Sequence, residues 1–255
     1  MKEGQKLWEK EELILAINLY IKLPFGKMHS LNPEIIDLAN ILERSPSSVA
    51  RKLGNFASFD PSLQARGIKG LANVSKLDRS VWNEFYQNWD DLFIESEKEF
   101  ARRKNLTIGK LYEFEIETAL IGEEKLKSVK VRLNQFIFRK IVVANFDNRC
   151  CITGIDKSEL LVASHIVPWS EDKGNRLNPK NGLLLNALHD RAFDAGLITI
   201  DFDYKIKVSS LLLKKTTIKS IEENFAIIHG TSIRLPKKFL PGQEFLRSHN
   251  KRFRP

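Results

Sequence analysis

Two histidines and an asparagine in the second half of the chain have the residue types and surroundings of a chemical site. His165 follows a short apolar run, Asn181 closes a polar loop, and His189 lies in a second apolar run. Imidazole titrates near neutral pH, so a histidine can accept a proton from water or bind a metal ion. The alternative for each histidine is a structural role, and Asn181 before Gly182 could be a simple turn.

Three predicted elements would bring these side chains together. Residues 160–163 are predicted to form a strand, which a proline shortly after His165 would end. Residues 170–180 are polar and rich in Gly, Asn and Pro, as is typical of a surface loop. Residues 183–193 are predicted to form a helix that carries His189 and stops at a glycine. The apolar face of that helix would consist of Leu184, Leu185, Leu188 and Ala192.

In this order, His165, Asn181 and His189 resemble the HNH nucleases, whose fold is called ββα-metal. Three phrases that begin at Ala163, Asn181 and Phe193 resemble a subgroup found in bacterial restriction-type endonucleases. The resemblance implies that His165 is the general base that deprotonates the attacking water. It also implies that Asn181 ties the loop and orients His165, and that His189 binds a divalent cation. Mg²⁺ is the first choice for that cation and Mn²⁺ the second.

The sequence departs from the family pattern at two positions of the expected metal site. Ser164 stands where many members carry Asp or His, and a hydroxyl is a poor ligand for a hard cation unless a water intervenes. Phe193 stands where others carry a second histidine. Asp194, the next residue, is therefore the second candidate ligand beside His189, with a capping or surface role as its alternative.

A helix is predicted at residues 131–146, directly before the motif. Arg132, Gln135 and Arg139 share one of its faces, at spacings of three and four. The family resemblance extends into this helix, which makes these residues candidates for contact with DNA phosphates. Surface salt bridges are the alternative for the two arginines.

Three helices are predicted near the N-terminus, at residues 8–23, from Pro33 and from Pro46. Asn32 and Ser45 are the expected N-caps, each followed by a proline in the first turn. The tight turn between the second and third helices suggests a helix-turn-helix, and this part resembles Myb-like three-helix modules. The candidate DNA contacts on the exposed side of the third helix are Ser47, Ser48, Arg51, Lys52 and Asn55. An ordinary solvated helix face is the alternative.

The segments between these helices and the motif are predicted to be mainly structural, with residues 57–73 as either a functional loop or a connector. Residues 57–73 have turn chemistry, and residues 76–93 are predicted to be a helix. Residues 95–105 are a charged run without an apolar face, predicted to be helical and to mark a domain boundary. Residues 107–130 are predicted to form a small hairpin or a connector. The side chains that pack the helix of residues 76–93 against the core would be Val81, Trp82, Phe85, Trp89 and Leu92.

The composition favours a polyanionic partner. The chain carries 41 Lys+Arg against 32 Asp+Glu, a formal net charge of +9 at pH 7. Its two cysteines, Cys150 and Cys151, are adjacent and cannot supply a four-thiolate zinc site, so no structural zinc is expected. We expect reduced thiols, one of them buried, and a cytoplasmic protein, because no apolar run is long enough for a membrane span and the polar N-terminus is not a signal peptide.

The sequence thus predicts an α+β protein with an N-terminal helical DNA-recognition module and a C-terminal ββα-metal (HNH) nuclease domain. The predicted domains are residues 1–95 for recognition, 96–130 for a charged linker with a small hairpin, and 131–255 for the nuclease. The predicted function is metal-dependent hydrolysis of double-stranded DNA in restriction, with reading of modified bases left open and a homodimer favoured for cutting both strands. The alternatives are an inactive HNH-fold DNA-binding protein or regulator and an RNA-directed nuclease toxin.

Overall fold

The computed structural model describes residues 6–71, 74–112, 122–214 and 218–255, with the backbone alone for residues 122–129. The chain divides into two compact units, Met1–Ile137 and Phe138–Pro255. This division falls inside a helix, whereas the predicted domain limits are residues 95 and 131. Among the described residues, no helix has the length and apolar character needed to cross a membrane.

The described part of the N-terminal unit is built from helices. In chain order they are α1 (Lys10–Lys22), α2 (Pro33–Ile41), α3 (Pro46–Ala57), α4 (Pro61–Ala65), α5 (Lys76–Gln87), α6 (Trp89–Arg103) and α7 (Ile108–Leu111). The next helix, α8 (Gly122–Asn145), begins in this unit and ends in the other.

Side-chain caps set the starts of α2 and α3 where the sequence predicts them. Asn32 Oδ1 accepts hydrogen bonds from the backbone N–H groups of Glu34 and Ile35. Ser45 Oγ accepts one from the N–H of Ser48. A proline follows each cap, where its missing N–H costs nothing. Both predicted helix starts are therefore confirmed.

Aromatic side chains fill the core of the N-terminal unit. The five residues predicted to pack here are all buried: Val81, Trp82, Phe85, Trp89 and Leu92. Trp82 contacts Tyr20 edge-to-face, with ring centroids 5.7 Å apart, and Trp89 stacks on Phe93. The tryptophans are therefore core residues. The single helix predicted at residues 76–93 is two helices, because the chain bends at Asn88.

Two candidate DNA contacts on α3 are buried, so the exposed placement predicted for them is wrong. Lys52 is 8 % exposed, and its Nζ lies 2.8 and 3.0 Å from the two carboxylate oxygens of Asp78 in α5. Asn55, one turn further along α3, is 5 % exposed. The cause is α5, which packs against this side of α3. Ser47 and Arg51 are exposed and Ser48 is half-buried.

The charged run at residues 95–105 is helical as predicted, but it has a buried side. It continues α6, and Ser96, Glu97 and Ala101 are buried within the N-terminal unit. Glu97 accepts hydrogen bonds from Asn18, Lys22 and Tyr112. This packing is not predictable from the sequence, because the buried side consists of a partnered carboxylate and small residues rather than large apolar ones.

The segment 107–130, predicted to be a small hairpin or a connector, includes residues 113–121, which lie outside the described residues. On either side the described backbone is helical, in α7 and at the start of α8. Gly122 is the first residue of α8.

The C-terminal unit contains two small antiparallel sheets. Strand β1 (Leu161–His165) pairs with β2 (Gly182–Asn186), with His165 opposite Gly182. Strand β3 (Ile198–Ile200) pairs with β4 (Ile206–Val208). The helices of this unit are α9 (Ala187–Asp194), α10 (Ser210–Leu213), α11 (Lys219–Asn224) and α12 (Gln243–Asn250).

Strand β2 takes the place of the first half of the predicted helix. All five of its residues are buried, and a short, fully buried apolar run does not reveal its period. The helix starts later, at Ala187, because the Asn186 side chain caps it by accepting the N–H of His189 at 2.8 Å. Leu188, predicted to be in the core, is 49 % exposed. Gly196 follows the helix with φ +69°, so the predicted stop is confirmed.

Helix α8 packs directly on the first sheet. A Cβ atom at Gly182 would lie 2.5 Å from Val142 Cγ2 and 3.1 Å from Phe138 Cζ. Only glycine permits this approach, which places Phe138 over the end of β1.

Candidate active site

His165 is the last residue of β1, at the end of a strand as predicted. Its ring stacks on Phe138, with centroids 3.5 Å apart and planes 9° apart, and meets the edge of Trp169. Nε2 lies 2.9 Å from the backbone oxygen of Arg176. A carbonyl oxygen can only accept, so Nε2 carries the hydrogen and Nδ1 is the basic nitrogen of the neutral ring. Among the described residues, Nδ1 has no hydrogen bond.

The surroundings of His165 favour its neutral form. Burial lowers the pKa of the imidazole below 6.5, and the nearby charge of Arg176 lowers it further. The Arg176 guanidinium lies 4.8 Å from the Trp169 ring centre and donates to the Trp169 backbone oxygen. This pair fixes the loop that holds the imidazole.

Asn181 joins the two ends of the loop that follows His165. Its Oδ1 accepts the N–H of Val167 at 2.8 Å, and its Nδ2 donates to the backbone oxygens of Val167 and Asn175. The backbone oxygen of Asn181 also accepts the N–H of Ile166. These contacts hold the loop beside His165 in place, and such contacts are what the predicted role of Asn181, to tie the loop and orient His165, requires.

Two carboxylates of α9 lie near the end of β1. Asp190 and Asp194 are one helical turn apart, and burial raises the pKa of Asp190. Partial desolvation and the charge of Asp190 raise the pKa of Asp194. Ser164 Oγ is buried and has no hydrogen bond of normal geometry among the described residues, although it lies close enough to Asp190 to lower that carboxyl's pKa.

Arg252 brings a positive charge to the same region from the C-terminal tail. Its Nη2 donates to the backbone oxygen of Ile166 at 2.7 Å, and its charge lowers the pKa of Asp194. The tail is anchored because Arg254 N–H donates to the Gly196 oxygen. The C-terminal tail therefore contacts the C-terminal unit through both arginines.

The His189 side chain makes its contacts elsewhere, not with Asp190, Asp194 or Arg252. The residue is fully buried, its Nε2 lies 2.8 Å from the Asn224 oxygen, and its Nδ1 lies 3.2 Å from the Asn186 side-chain amide. Both ring nitrogens are therefore occupied, and metal binding by His189 would require breaking one of these contacts. Its ring also meets Phe225 edge-to-face.

The Cys150 thiol also contacts His189. Burial alone would raise the pKa of this thiol, but hydrogen bonds with His189 and Thr153 bring it down to about 7. Cys151 is buried too, and burial raises the pKa of its thiol well above the usual value. Both cysteines are free thiols, as predicted, and both are buried.

The candidate phosphate contacts on α8 differ in their surroundings. Gln135 is exposed and Arg132 is half-buried. Arg139 is exposed, but its guanidinium donates to the backbone oxygens of Leu161 and Ser158, at 2.8 and 2.9 Å. Arg139 thus braces the start of β1.

Phe193 is the second position that departs from the family pattern. Its ring stacks on His249, with centroids 3.6 Å apart.

The oxygen atoms around Ser164 suit a hard cation. Mg²⁺ takes oxygen ligands, and one or two carboxylates with water and substrate phosphate usually suffice. Asp190 and Asp194 repel each other, and the buried hydroxyl of Ser164, without a regular partner among the described residues, lies beside Asp190. The described residues contain no group of three or more His, Cys, Asp or Glu placed to hold a metal. The residues therefore fit a cation that also takes ligands from water and substrate.

Several residues of the site were missed by sequence reasoning. Asp190 had a usable signal, because it is spaced one helical turn from Asp194. Phe138, Arg176 and Arg252 had none, because their contacts with the loop around His165 depend on the tertiary fold.

One of two comparisons with known proteins matches the segment that contains the candidate site. A search of curated proteins found no match. Residues 150–201, which contain His165, Asn181 and His189, match a family described as HNH endonuclease. The C-terminal part of this α+β protein therefore contains an HNH endonuclease domain.

Proposed function

We propose that this protein is a metal-dependent endonuclease that hydrolyses phosphodiester bonds of double-stranded DNA, with His165 as its general base. The observation that carries the proposal is the orientation of the imidazole. Nε2 donates to the Arg176 oxygen, which leaves Nδ1 able to accept a proton. The HNH match supports a nuclease, and the net charge of +9 favours a polyanionic substrate.

The reaction begins with proton transfer from water to His165 Nδ1. The lowered pKa keeps the ring neutral at pH 7, so the base is ready without a further ionisation. The hydroxide oxygen bonds to phosphorus as the bond to the 3′ oxygen breaks, and that oxygen takes up a proton from solvent water. The products are a 5′-phosphate and a 3′-hydroxyl. Asn181 keeps the loop, and through it the imidazole, in place during this step.

Asp190 and Asp194 would hold the divalent cation, with Ser164 beside them. When bound, the cation neutralises charge on the scissile phosphate and stabilises the departing 3′ oxygen. Mg²⁺ is the favoured ion and Mn²⁺ an alternative, because the candidate ligands are oxygen atoms. Arg252 is positioned to neutralise a second phosphate oxygen, since its charge already acts on Asp194.

The biological role follows from the family resemblance rather than from the geometry. We place the protein in restriction of foreign DNA in the cytoplasm, and the choice between plain and modified DNA is part of the test below. A single site acts on one strand, so cutting both strands would favour a homodimer.

One observation favours a second candidate, an inactive HNH-fold protein that binds DNA. Both ring nitrogens of His189 are occupied. The position where other family members carry a second histidine is Phe193, whose ring is stacked on His249 in the core. The site would then lack nitrogen ligands for a metal. This candidate predicts DNA binding without cleavage.

The proposal is tested by incubating the purified chain with plasmid DNA, base-modified phage DNA and RNA. Each substrate is combined with Mg²⁺, Mn²⁺ or a chelator. Cleavage of DNA that needs a divalent ion supports the proposal, and the preferred DNA shows whether modification is read. Cleavage of RNA alone would favour the toxin. DNA binding without cleavage under any condition would favour the inactive protein.

A further inference from the structure

The surface of the N-terminal unit has two adjoining depressions beside the starts of α3 and α5. The larger has a volume of about 620 Å³, and its walls include Ser45, Ser48 and Lys52 of the α3 region. The smaller, of about 450 Å³, lies along α5 and is lined by Lys76, Arg79, Ser80 and Asn83 with the preceding Val74 and Ser75. Ser75 lines both depressions, so they form one continuous surface.

The polar groups of this surface are mainly hydrogen-bond donors or cations. Lys76, Arg79, Ser80 and Asn83 are all exposed. In the described part of the chain, neither Lys76 nor Arg79 has an ion pair, and the Arg79 guanidinium lies over the Phe59 ring at 4.5 Å. These cations are therefore available to an external anion.

The nearest carboxylate on α5 does not cancel this charge. Asp78 is fully buried, where its oxygens accept from Lys52 Nζ and from the N–H of Ser75. The exposed carboxylate on the lining of the larger depression is Glu43. The surface along α5 thus carries a net positive charge.

Both helices also point their N-terminal ends at this surface. Ser45 and Ser75 are the N-caps of α3 and α5, and each helix is twelve residues long. Helix N-termini carry partial positive charge, which adds to the attraction of the two cations for phosphate.

We propose that this surface, defined by Ser45, Ser48, Ser75, Lys76, Arg79, Ser80 and Asn83, binds the phosphate backbone of duplex DNA. The inference rests on the proposed function, since it assumes that the substrate of the nuclease is DNA. It assigns the contacts to both helices, so Lys76 and Arg79 of α5 take the role that was predicted for Lys52 and Asn55. Ser48 retains its predicted place, because it lines the larger depression.

Charge complementarity decides between DNA and an apolar partner. Five of the six residues that line the smaller depression are polar or charged, and they offer a ligand an ammonium, a guanidinium, an amide and two hydroxyls. These are the groups that contact phosphate and sugar in protein–DNA complexes.

The test uses the full-length chain with His165→Ala, so that DNA is bound without being cut. Binding to a fluorescein-labelled duplex is followed by anisotropy from low to moderate salt, with chelator present. The test variant is K76Q/R79Q. The matched control is K98Q/K110Q, which removes the same charge from two exposed lysines of the same unit that line neither depression.

The test variant should weaken binding roughly tenfold relative to the control and lower the salt slope by about two, since each lost phosphate contact removes close to one released counterion. The conservative variant K76R/R79K should bind like the parent. Equal affinities of test and control variants would overturn the inference, as would a parent that binds no duplex or binds only RNA. Thermal unfolding of each variant checks that the fold is retained.

This result can be separated from the fate of the proposed function. If the wild-type chain cuts nothing but the parent binds DNA through Lys76 and Arg79, the inference stands and the nuclease proposal fails. If the wild-type chain cuts DNA while K76Q/R79Q binds as tightly as the control, the inference alone fails.

Discussion

At the residue scale, His165 and His189 have the same side chain but different contacts at their nitrogens. His165 has one nitrogen held by a carbonyl oxygen and the other without a hydrogen bond among the described residues. His189 has both nitrogens occupied in the core. A base needs a lone pair that water can reach, so His165 is suited to proton transfer and His189 to holding the fold.

The pKa of His165 gives a pH prediction. Because burial lowers this pKa, the base is protonated only below pH 6.5, and activity should fall as the pH drops through the lowered value. The direct measurement is an NMR titration of the histidine ring protons, with the His165→Gln variant identifying the resonance. A midpoint above 6.5 would contradict the described environment.

The carboxylate pair gives a second prediction at this scale. Asp190→Asn or Asp194→Asn should lower DNA cleavage at least ~100-fold, since loss of a metal's charge stabilisation costs several kcal/mol. Stability should be retained, because each change also removes repulsion between the two carboxylates. Asp203→Asn, an exposed change between β3 and β4, is the control. Full activity in both site variants would remove these residues from the site.

At the element scale, α9 joins the candidate site to the core. One side carries Asp190 and Asp194 near the end of β1. The other carries His189, whose hydrogen bonds reach Asn186 before the helix and Asn224 at the end of α11. The position of the carboxylates therefore depends on the anchoring of His189.

Replacing this anchor should destabilise the C-terminal unit. His189→Ala leaves the Asn224 oxygen and the Asn186 amide without their partner and opens a cavity, which should cost about 2 to 4 kcal/mol of unfolding free energy. Urea unfolding measures this, with the exposed neighbour change Leu188→Ala as control. A His189→Ala protein that is fully stable but needs far more metal for cleavage would instead support the predicted ligand role.

The sequence predicts those elements whose signals are local. The caps at Asn32 and Ser45 define the starts of α2 and α3, and the glycine stop after α9 is equally local. Strand β2 is misread as helix, because its burial on both faces removes the alternation that marks a strand.

The candidate site is predictable to the same extent. His165 and Asn181 are candidates because of the family resemblance, and His165 lies at the end of a strand as predicted. The contacts of Arg176, Phe138 and Arg252 with the loop around His165 depend on residues distant in sequence. The burial of Lys52 likewise depends on a partner in another helix, Asp78.

At the scale of the whole molecule, α12 ties the C-terminal end of the chain to the unit that holds the site. His249 Nε2 donates to the Phe193 oxygen, and Nδ1 accepts from Thr199 Oγ1 at 2.7 Å. The ring is buried and stacked on Phe193. The C-terminal tail with Arg252 follows directly, so the last helix supports the loop beside His165.

This connection predicts a loss of stability in acid. Burial lowers the pKa of His249 from 6.5 to about 4. Between pH 6.5 and about 4, His249 is therefore protonated in the unfolded chain but neutral in the folded chain. The stabilising contribution of the neutral ring is complete above pH 6.5 and is lost as the pH falls toward 4. The loss should reach about 3 kcal/mol, at roughly 1.4 kcal/mol per pKa unit. Urea unfolding between pH 7 and 4 should show a flatter dependence for His249→Gln than for wild type; parallel curves would contradict the assignment.

The central claim, that His165 is the general base of a nuclease, is tested most directly by single-turnover cleavage of DNA with saturating protein and Mg²⁺. We predict that wild type cuts and that His165→Ala retains its fold and DNA affinity but is slower by ~100-fold or more, since general-base catalysis contributes about 10² to 10⁴. Cleavage by a well-folded His165→Ala protein at the wild-type rate would contradict the claim.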